Sequence, residues 1–451
     1  MFRGGLGMKK PWLPTLFFAV RLPTLLAMFW RRHAAHQSIT GVARKETISF
    51  IIFRLDSLGD VVMTTPLFRA LKQAHPDSRC TVVVQHEYKA MLVTNPHIDE
   101  ILCLPPMSVA WLPLRVKTLL SALAFYGRHL RHRHFDYAIS PRCDVDEHLA
   151  TFLCALTNAG RRVGYSETTT PAKQQINRGF DAAFDVCIPP GRARHEVLRN
   201  LAVAEALGLT VNDDRLEIAL TERDRRRAAK WLAEVSPATK LIALGIGAHS
   251  PSRRWRLERY AACVNQLAAE AAVQPVIVCA AGERNDATRL AALLRRPPIT
   301  VCGAGIREVC AVLERCEVFL GNDSGCAHLA AAMDCKTLVI SRHPRDGDPD
   351  HGNSPLRFAP YCRHMRVLQP LSGRDGCRQA CISAEPHCIC RVSVEEAVAA
   401  ARRMLHQVGP ISMTATSSSS GLSQHLLLSH SADAVRRAVE VLHPEAVKPM
   451  L

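Results

Sequence analysis

The chain has 451 residues, 48% of them hydrophobic and 22% charged, which excludes a lone small module, a largely disordered chain and a polytopic membrane protein. Its 57 Lys and Arg against 41 Asp and Glu leave a net charge of +16, so it is drawn to something anionic: nucleic acid, a membrane surface or a phosphorylated substrate. Seventeen cysteines are a generous and odd number, but the chain is too long for a small disulfide scaffold. Twelve lie scattered in apolar contexts, such as Cys80, Cys154, Cys279 and Cys335, and read as buried thiols of a reducing compartment. The other five, Cys362, Cys377, Cys381, Cys388 and Cys390, crowd into one stretch.

In chain order, residues 1–46 come first as a basic and apolar segment. PWLPTLFFAVRLPTLLAMFW (11–30) is interrupted by Pro14, Arg21 and Pro23 and bounded by Lys9, Lys10, Arg31 and Arg32. That pattern suits a membrane-surface anchor, with Trp12, Phe17, Phe18, Phe29 and Trp30 in the interface and the cations on anionic headgroups. An arm packed on the globule, or an over-extended start, is the plainer alternative. The first fifty residues hold eight basic side chains against one acid, a surplus of seven.

From residue 47, short β-branched runs alternate with helical periods. TISFIIFR (47–54), CTVVVQ (80–85), ILCL (101–104) and DYAIS (136–140) read as buried strands, with helices at 60–75, 86–94, 112–131 and 146–157 between them. A second series follows a charged helix at 222–234: KLIALGIG (240–247), PVIVCA (275–280), PITVCG (298–303), EVFLGN (317–322) and KTLVIS (336–341). Helices at 257–272, 284–295, 306–315 and 325–333 separate these. The alternation implies two doubly wound parallel sheets, residues 47–220 and 221–391. A closing helix (392–409) and a low-complexity tail (410–451) complete the chain. Ligands of such sheets bind beyond the carboxyl ends of the strands, so the residues after each strand carry the interest.

The first strand runs into RLDSLGDVVMTTPLFRAL (54–71), where Gly59 permits a tight turn and Asp60, with Ser57 beside it, opens a helix. The plain reading of Asp60 is an N-cap; the functional one is a carboxylate that takes a proton from an attacking hydroxyl. In the second half, EVFLGNDSGCAHLAAAM (317–333) sets Asp323, Ser324 and Gly325 between a strand and a helix, a layout that receives phosphate. His328 follows Gly325 by about one turn; a capped helix with a buried histidine is the alternative. LGIGAHSPSRRWRLERY (244–260) places Arg253, Arg254 and Arg256 around Trp255, which suits a diphosphate or simply a solvated basic face. Glu283, after the next strand, is placed to accept from ribose hydroxyls.

These segments, in this order, resemble glycosyltransferase family 9, the ADP-heptose:lipopolysaccharide heptosyltransferases, over about residues 47–408. DYAISPRCD (136–144), RRVGYSE (161–167) and HEVLRNLAVAEALGL (195–209) are similar to further family segments. The resemblance implies a GT-B architecture of two Rossmann-like halves facing a cleft, with acceptor bound by the first and nucleotide-sugar by the second. It makes Asp60 the catalytic base and Asp323, Ser324, Gly325 and His328 the donor loop. It also gives Arg253 the place of a phosphate-binding lysine and Glu283 that of a nucleoside contact. Ser57, His195 and Asp144, the last near the end of a first-half strand, are read as acceptor-side residues. The implied partners are a nucleotide-sugar, ADP-heptose, a glycolipid acceptor and the inner face of the cytoplasmic membrane, with a cytoplasmic location. No cofactor, catalytic metal or nucleic acid is implied. Two departures stand out: arginine replaces the usual lysine at 253, and Cys326 fills a place of larger apolar residues or proline.

Two DxD patterns, Asp144-Val145-Asp146 and Asp346-Gly347-Asp348, have the look of metal-binding pairs, although the first reads better as a helix start that offers Asp144 to an acceptor. CRQACISAEPHCIC (377–390), with His387 adjacent, loosely permits a structural zinc on Cys377, Cys381, Cys388 and Cys390; the resemblance extends across it without implying a metal. Two other readings stay open: a different GT-B transferase or epimerase, and a non-catalytic membrane-bound adaptor with a cysteine-rich metal module.

Overall fold

A computed structural model describes residues 47–105, 114–191, 195–377 and 379–406. The expected membrane-surface segment 1–46 and the tail 410–451 lie outside these residues. Among the described residues, no helix is long and apolar enough to cross a membrane.

The chain forms two compact units. One takes the described residues up to 191 and Leu198–Val211; the other takes 195–197 and everything described from Asn212 onward. The second unit therefore starts earlier than the expected 221. Tyr361 donates its hydroxyl to Asp214, and Leu216 and Ile218 are buried, which ties the stretch before the charged helix to that unit.

In the first unit β1 (Ser49–Phe53), β2 (Arg79–Gln85), β3 (Glu100–Leu104), β4 (His134–Ser140), β5 (Asn158–Tyr165) and β6 (Val186–Ile188) form one sheet in the order β3-β2-β1-β4-β5-β6. In the second, β7 (Lys240–Gly245), β8 (Val273–Cys279), β9 (Ile299–Cys302), β10 (Val318–Asn322), β11 (Lys336–Ile340) and β12 (Met365–Leu368) form another in the order β12-β11-β10-β7-β8-β9. Every neighbouring pair is parallel. Read from each unit's own first strand, the two orders are the same doubly wound order, which reverses direction between the first and fourth strands.

Three strands went unread in the sequence. β5 carries Gly160, Arg161, Arg162 and Gly164, and its first half is largely exposed; β6 and β12 are short edge strands. Gly164 is required in β5 because the Phe184 ring lies 2.3 Å from where a Cβ would sit.

The central strands bury nearly every side chain because helices cover both faces. Ile51, Phe53, Val83, Phe125 and Phe152 anchor one core; Ile242, Leu244, Trp255, Tyr260, Leu320, Leu338 and Met404 anchor the other. Two local devices keep the helices sound. Pro66 lies inside the helix Leu58–Ala74 and cannot bond the Val62 carbonyl, so the Thr65 hydroxyl donates to it at 2.8 Å. The closing helix, Val394–His406, ends on two lysines from the sheet: Lys240 Nζ donates to the Leu405 carbonyl at 2.7 Å and Lys336 Nζ to that of Met404 at 3.0 Å.

Candidate active site

Both clusters of candidate residues stand where a doubly wound sheet leaves room for a ligand, beyond the carboxyl ends of the two strands at which the winding reverses. In the first unit those strands are β1 and β4. The loop after β1 is held by Gln85, whose Nε2 donates to the Leu55 carbonyl at 2.6 Å. Ser57 is the N-cap of the helix Leu58–Ala74. Asp60 is therefore not the cap but the third helical residue. Its Oδ2 accepts from Ser57 Oγ at 2.7 Å and from the Ser57 backbone N–H at 3.2 Å. Gly59 belongs to the helix as well, so no glycine-dependent turn is needed there.

Two guanidiniums meet the other Asp60 oxygen. Arg54, fully buried after β1, reaches Oδ1 at 3.3 Å, and Arg142, after β4, reaches it at 3.5 Å. Both arginines also pair with Asp56, at 3.4 and 3.5 Å. The result is a two-carboxylate, two-guanidinium cluster with Asp60 at its edge. Lys173 holds the Arg142 loop from beneath, its buried Nζ donating to the carbonyls of Arg142 and Tyr165. Burial pushes this ammonium below its ordinary value, with the Arg142 charge acting the same way.

Asp144 joins this side of the unit: its Oδ1 accepts from the Val145 N–H and from the Thr170 hydroxyl. The helix expected from 146 begins at Ala150, because Asp146 is spent as its cap, accepting from the N–H groups of His148, Ala150 and Thr151. Asp144 and Asp146 thus have separate structural partners rather than a shared ligand. His195 departs from its expected acceptor-side place. It belongs to the second unit, its Nε2 bonds the Ala359 carbonyl at 2.9 Å, its Nδ1 accepts from the Val197 N–H, and its ring packs on Tyr361. Both ring nitrogens are engaged by the chain itself.

In the second unit the winding reverses between β7 and β10. Asn322, at the end of β10 and fully buried, joins the two strand ends. Its Oδ1 accepts from the Trp255 N–H at 2.8 Å and from the Tyr260 hydroxyl at 2.9 Å, while its Nδ2 donates to the Ile246 carbonyl at 2.8 Å. Trp255, buried and donating Nε1 to the Val392 carbonyl, pins the cationic loop. Arg254 folds back onto the Ala248 carbonyl and toward Glu283 and Asp286, and Arg259 donates to Val392. Arg253 bonds Asn353 from the other side of the loop.

Asp323 and Ser324 follow β10, and Ser324 caps the helix Gly325–Ala332 with no bond from its side chain to the helix. The Ser324 hydroxyl is buried and has no hydrogen-bond partner. His328 lies buried one turn along. Glu283 closes in from the β8 loop, one oxygen accepting from the Ala280 N–H. Its carboxylate lies so near Gly247 that a Cβ there would come within 2.3 Å of Oε1, so a larger residue at 247 would move the Glu283 carboxylate.

Sequence reading missed Arg342. It follows β11, donates to the Ser252 hydroxyl, and lies within electrostatic reach of Arg253 and Asp323. Burial, and then the Arg253 charge, push this guanidinium below its ordinary value, against the opposing pull of Asp323. Its place after a strand was the available signal. Arg253 and Arg342 thus act on one another beyond the strand ends of this unit, where the next loop leaves the Ser324 hydroxyl unpartnered at a helix N-terminus, a set of groups suited to a diphosphate.

The cysteine cluster also differs from expectation. Cys377, Cys381, Cys388 and His387 come together, whereas Cys390 bonds the Pro386 carbonyl and packs on the main core of the unit. The 3-10 turn Cys388–Arg391 sends residues two apart to different sides. The seventeen cysteines are all free; of the twelve scattered ones, most are buried but Cys187 is exposed on β6.

The sequence profile of glycosyltransferase family 9 (heptosyltransferase) matches residues 124–343. Lipopolysaccharide heptosyltransferase 3 of Escherichia coli K12 is 23% identical over 287 residues, covering 63% of this chain and 78% of that protein. Among solved structures, a glycosyl transferase family 9 protein from Veillonella parvula superposes with a TM-score of 0.64 at 20% identity, over 79% of this chain and 97% of that one. The E. coli heptosyltransferase WaaC with ADP does so with a TM-score of 0.59 at 15% identity, over 79% of this chain and all of that one. At such identities the superpositions speak for the fold, that of a two-domain GT-B protein, and the profile and the curated relative speak for the family. The chain is a glycosyltransferase, and over residues 124–343 it is similar to glycosyltransferase family 9.

Proposed function

We propose that this enzyme transfers a heptose from ADP-heptose to a lipopolysaccharide-core acceptor, with inversion at the anomeric carbon. The observation that carries the donor half is the buried, unpartnered Ser324 hydroxyl at a helix N-terminus, next in sequence to Asp323, which lies with Arg253 within electrostatic reach of Arg342. The names of the curated relatives supply the sugar and the acceptor class. In the reaction, an acceptor hydroxyl oxygen attacks the anomeric carbon as the bond from that carbon to the diphosphate oxygen breaks. The hydroxyl proton passes to the Asp60 carboxylate, and ADP leaves with the bonding pair. Arg253, Arg342 and the N–H groups opening the helix Gly325–Ala332 stabilise the charge that develops on the diphosphate. Glu283 accepts from the ribose hydroxyls. The cationic side chains serve where other transferases use a metal, so no cofactor enters the scheme. We further infer peripheral association with the inner face of the cytoplasmic membrane through the basic segment 1–46.

Calorimetric titration with ADP tests the donor site. Wild-type protein binds ADP, and Arg342→Ala and Ser324→Ala each weaken binding about 10-fold or more, as loss of a hydrogen bond to a charged group does. Equal affinity in all three proteins would remove the diphosphate from this place.

A further inference from the structure

Between β12 and the closing helix the chain runs through a long stretch in which the described residues of 369–387 form neither helix nor strand. Loops of this length inside a compact domain need some other constraint. The stretch turns at Gly376, whose φ of +83° favours glycine, and this delivers Cys377 toward Cys381 and Cys388. These three side chains form a small buried cluster of their own, 3%, 5% and 0% exposed.

Three buried thiols alone would pass for small apolar side chains. The histidine does not fit that account. His387 Nδ1 stands 3.6 Å from Cys377 Sγ and 3.5 Å from Cys388 Sγ, and all four ligand atoms lie within 4.8 Å of one another. A tetrahedral zinc with bonds of about 2.3 Å to sulfur and about 2.0–2.1 Å to nitrogen sets its ligands roughly 3.6–3.8 Å apart along the edges. The observed sulfur–nitrogen separations match such an edge.

The surroundings suit thiolates as well. The Arg374 N–H donates to Cys388 Sγ at 3.4 Å, and backbone N–H groups of Ser383 and Cys388 lie against Cys381. The Arg342 guanidinium is within electrostatic reach of Cys381 and Cys388. Backbone donors to sulfur and a nearby cation are the outer partners that settle a metal thiolate. Among the described residues this is the one group of cysteine, histidine or acidic side chains gathered for a metal.

We propose that Cys377, Cys381, His387 and Cys388 bind one structural zinc ion in a closed tetrahedral site that fixes the 369–391 loop, and that Cys390 takes no part. The three thiols lose their protons to solvent as the ion binds, no electron is transferred, and four protein ligands leave no open position for substrate or water. The proposal does not depend on the donor or acceptor reading.

Metal analysis of the full-length protein, purified without chelator and dialysed, tests it. The expected content is about one zinc per chain in wild type and in Cys390→Ser, falling to less than about a tenth in Cys381→Ser. Where Cys381→Ser does not fold, wild-type protein stripped by a chelator is titrated with cobalt(II). One equivalent then produces the visible absorption of a tetrahedral cobalt thiolate and restores the thermal midpoint lost on stripping. The proposal is overturned if wild type neither carries zinc nor takes up cobalt, if Cys390→Ser loses the metal, or if the cluster is joined by a disulfide in the purified protein.

Discussion

Asp60 shows how much a single carboxylate can be asked to do. One oxygen caps the helix start through Ser57, and the other faces Arg54 and Arg142. Asp56 shares both arginines, so replacing Asp60 by Asn leaves the buried Arg54 a counter-charge and leaves Ser57 an acceptor. Asp60→Asn is therefore expected to keep its thermal midpoint and its ADP affinity while kcat falls about 10²–10⁴-fold, the usual worth of a general base. A folded variant turning over at the wild-type rate would remove Asp60 from the chemistry. Charge and spacing made this residue visible in the sequence. Its exact helical position was not, because a serine three residues earlier competes for the cap and only the backbone decides between them.

Between elements, the decisive contact is Asn322. It binds the end of β10 to the loop after β7 through Trp255, Tyr260 and Ile246, and so ties the cationic loop to the strand that leads into the helix Gly325–Ala332. Asn322→Ala would strand the buried Trp255 N–H and remove the donor to the Ile246 carbonyl, leaving the Tyr260 hydroxyl only its longer bond to the Gly245 carbonyl. We expect a loss on the order of 2–4 kcal/mol in urea unfolding, at about 1–3 kcal/mol for a buried polar group left unsatisfied, together with weaker ADP binding; a loss below about 0.5 kcal/mol would show that the two strand ends hold without it. The strands carrying the site were legible because both faces are covered and their sequences are continuous apolar runs. β5 was not, since Arg161 and Arg162 interrupt it and two glycines stand where packing leaves no room for a side chain or where the strand is exposed. Arg342 belongs to no motif; only the fold brings it to Ser252 and Arg253. His387 was hidden for a related reason, as spacing alone favoured Cys390 and the turn at Cys388–Arg391 reversed the choice.

At the scale of the molecule, the basic character has two concentrations, a surplus of seven charges in the first fifty residues and the arginines that follow β7 and β11 in the second unit. If the segment 1–46 serves a membrane, full-length protein will float with vesicles containing anionic phospholipid and will be released as salt rises. Protein lacking residues 1–46 will stay behind, and equal flotation of both forms would assign the attraction elsewhere. The same doubly wound order recurs in both units, and the proposed function assigns acid–base chemistry to one and diphosphate recognition to the other. The most direct measurement of that division is the mass of a heptose-deficient lipopolysaccharide core after incubation with ADP-heptose and the enzyme. Wild type is expected to add one heptosyl residue, and Asp60→Asn to add it at a rate lower by about 10²–10⁴-fold; an unchanged acceptor in the presence of folded, ADP-binding wild-type protein would contradict the heptosyltransferase reading.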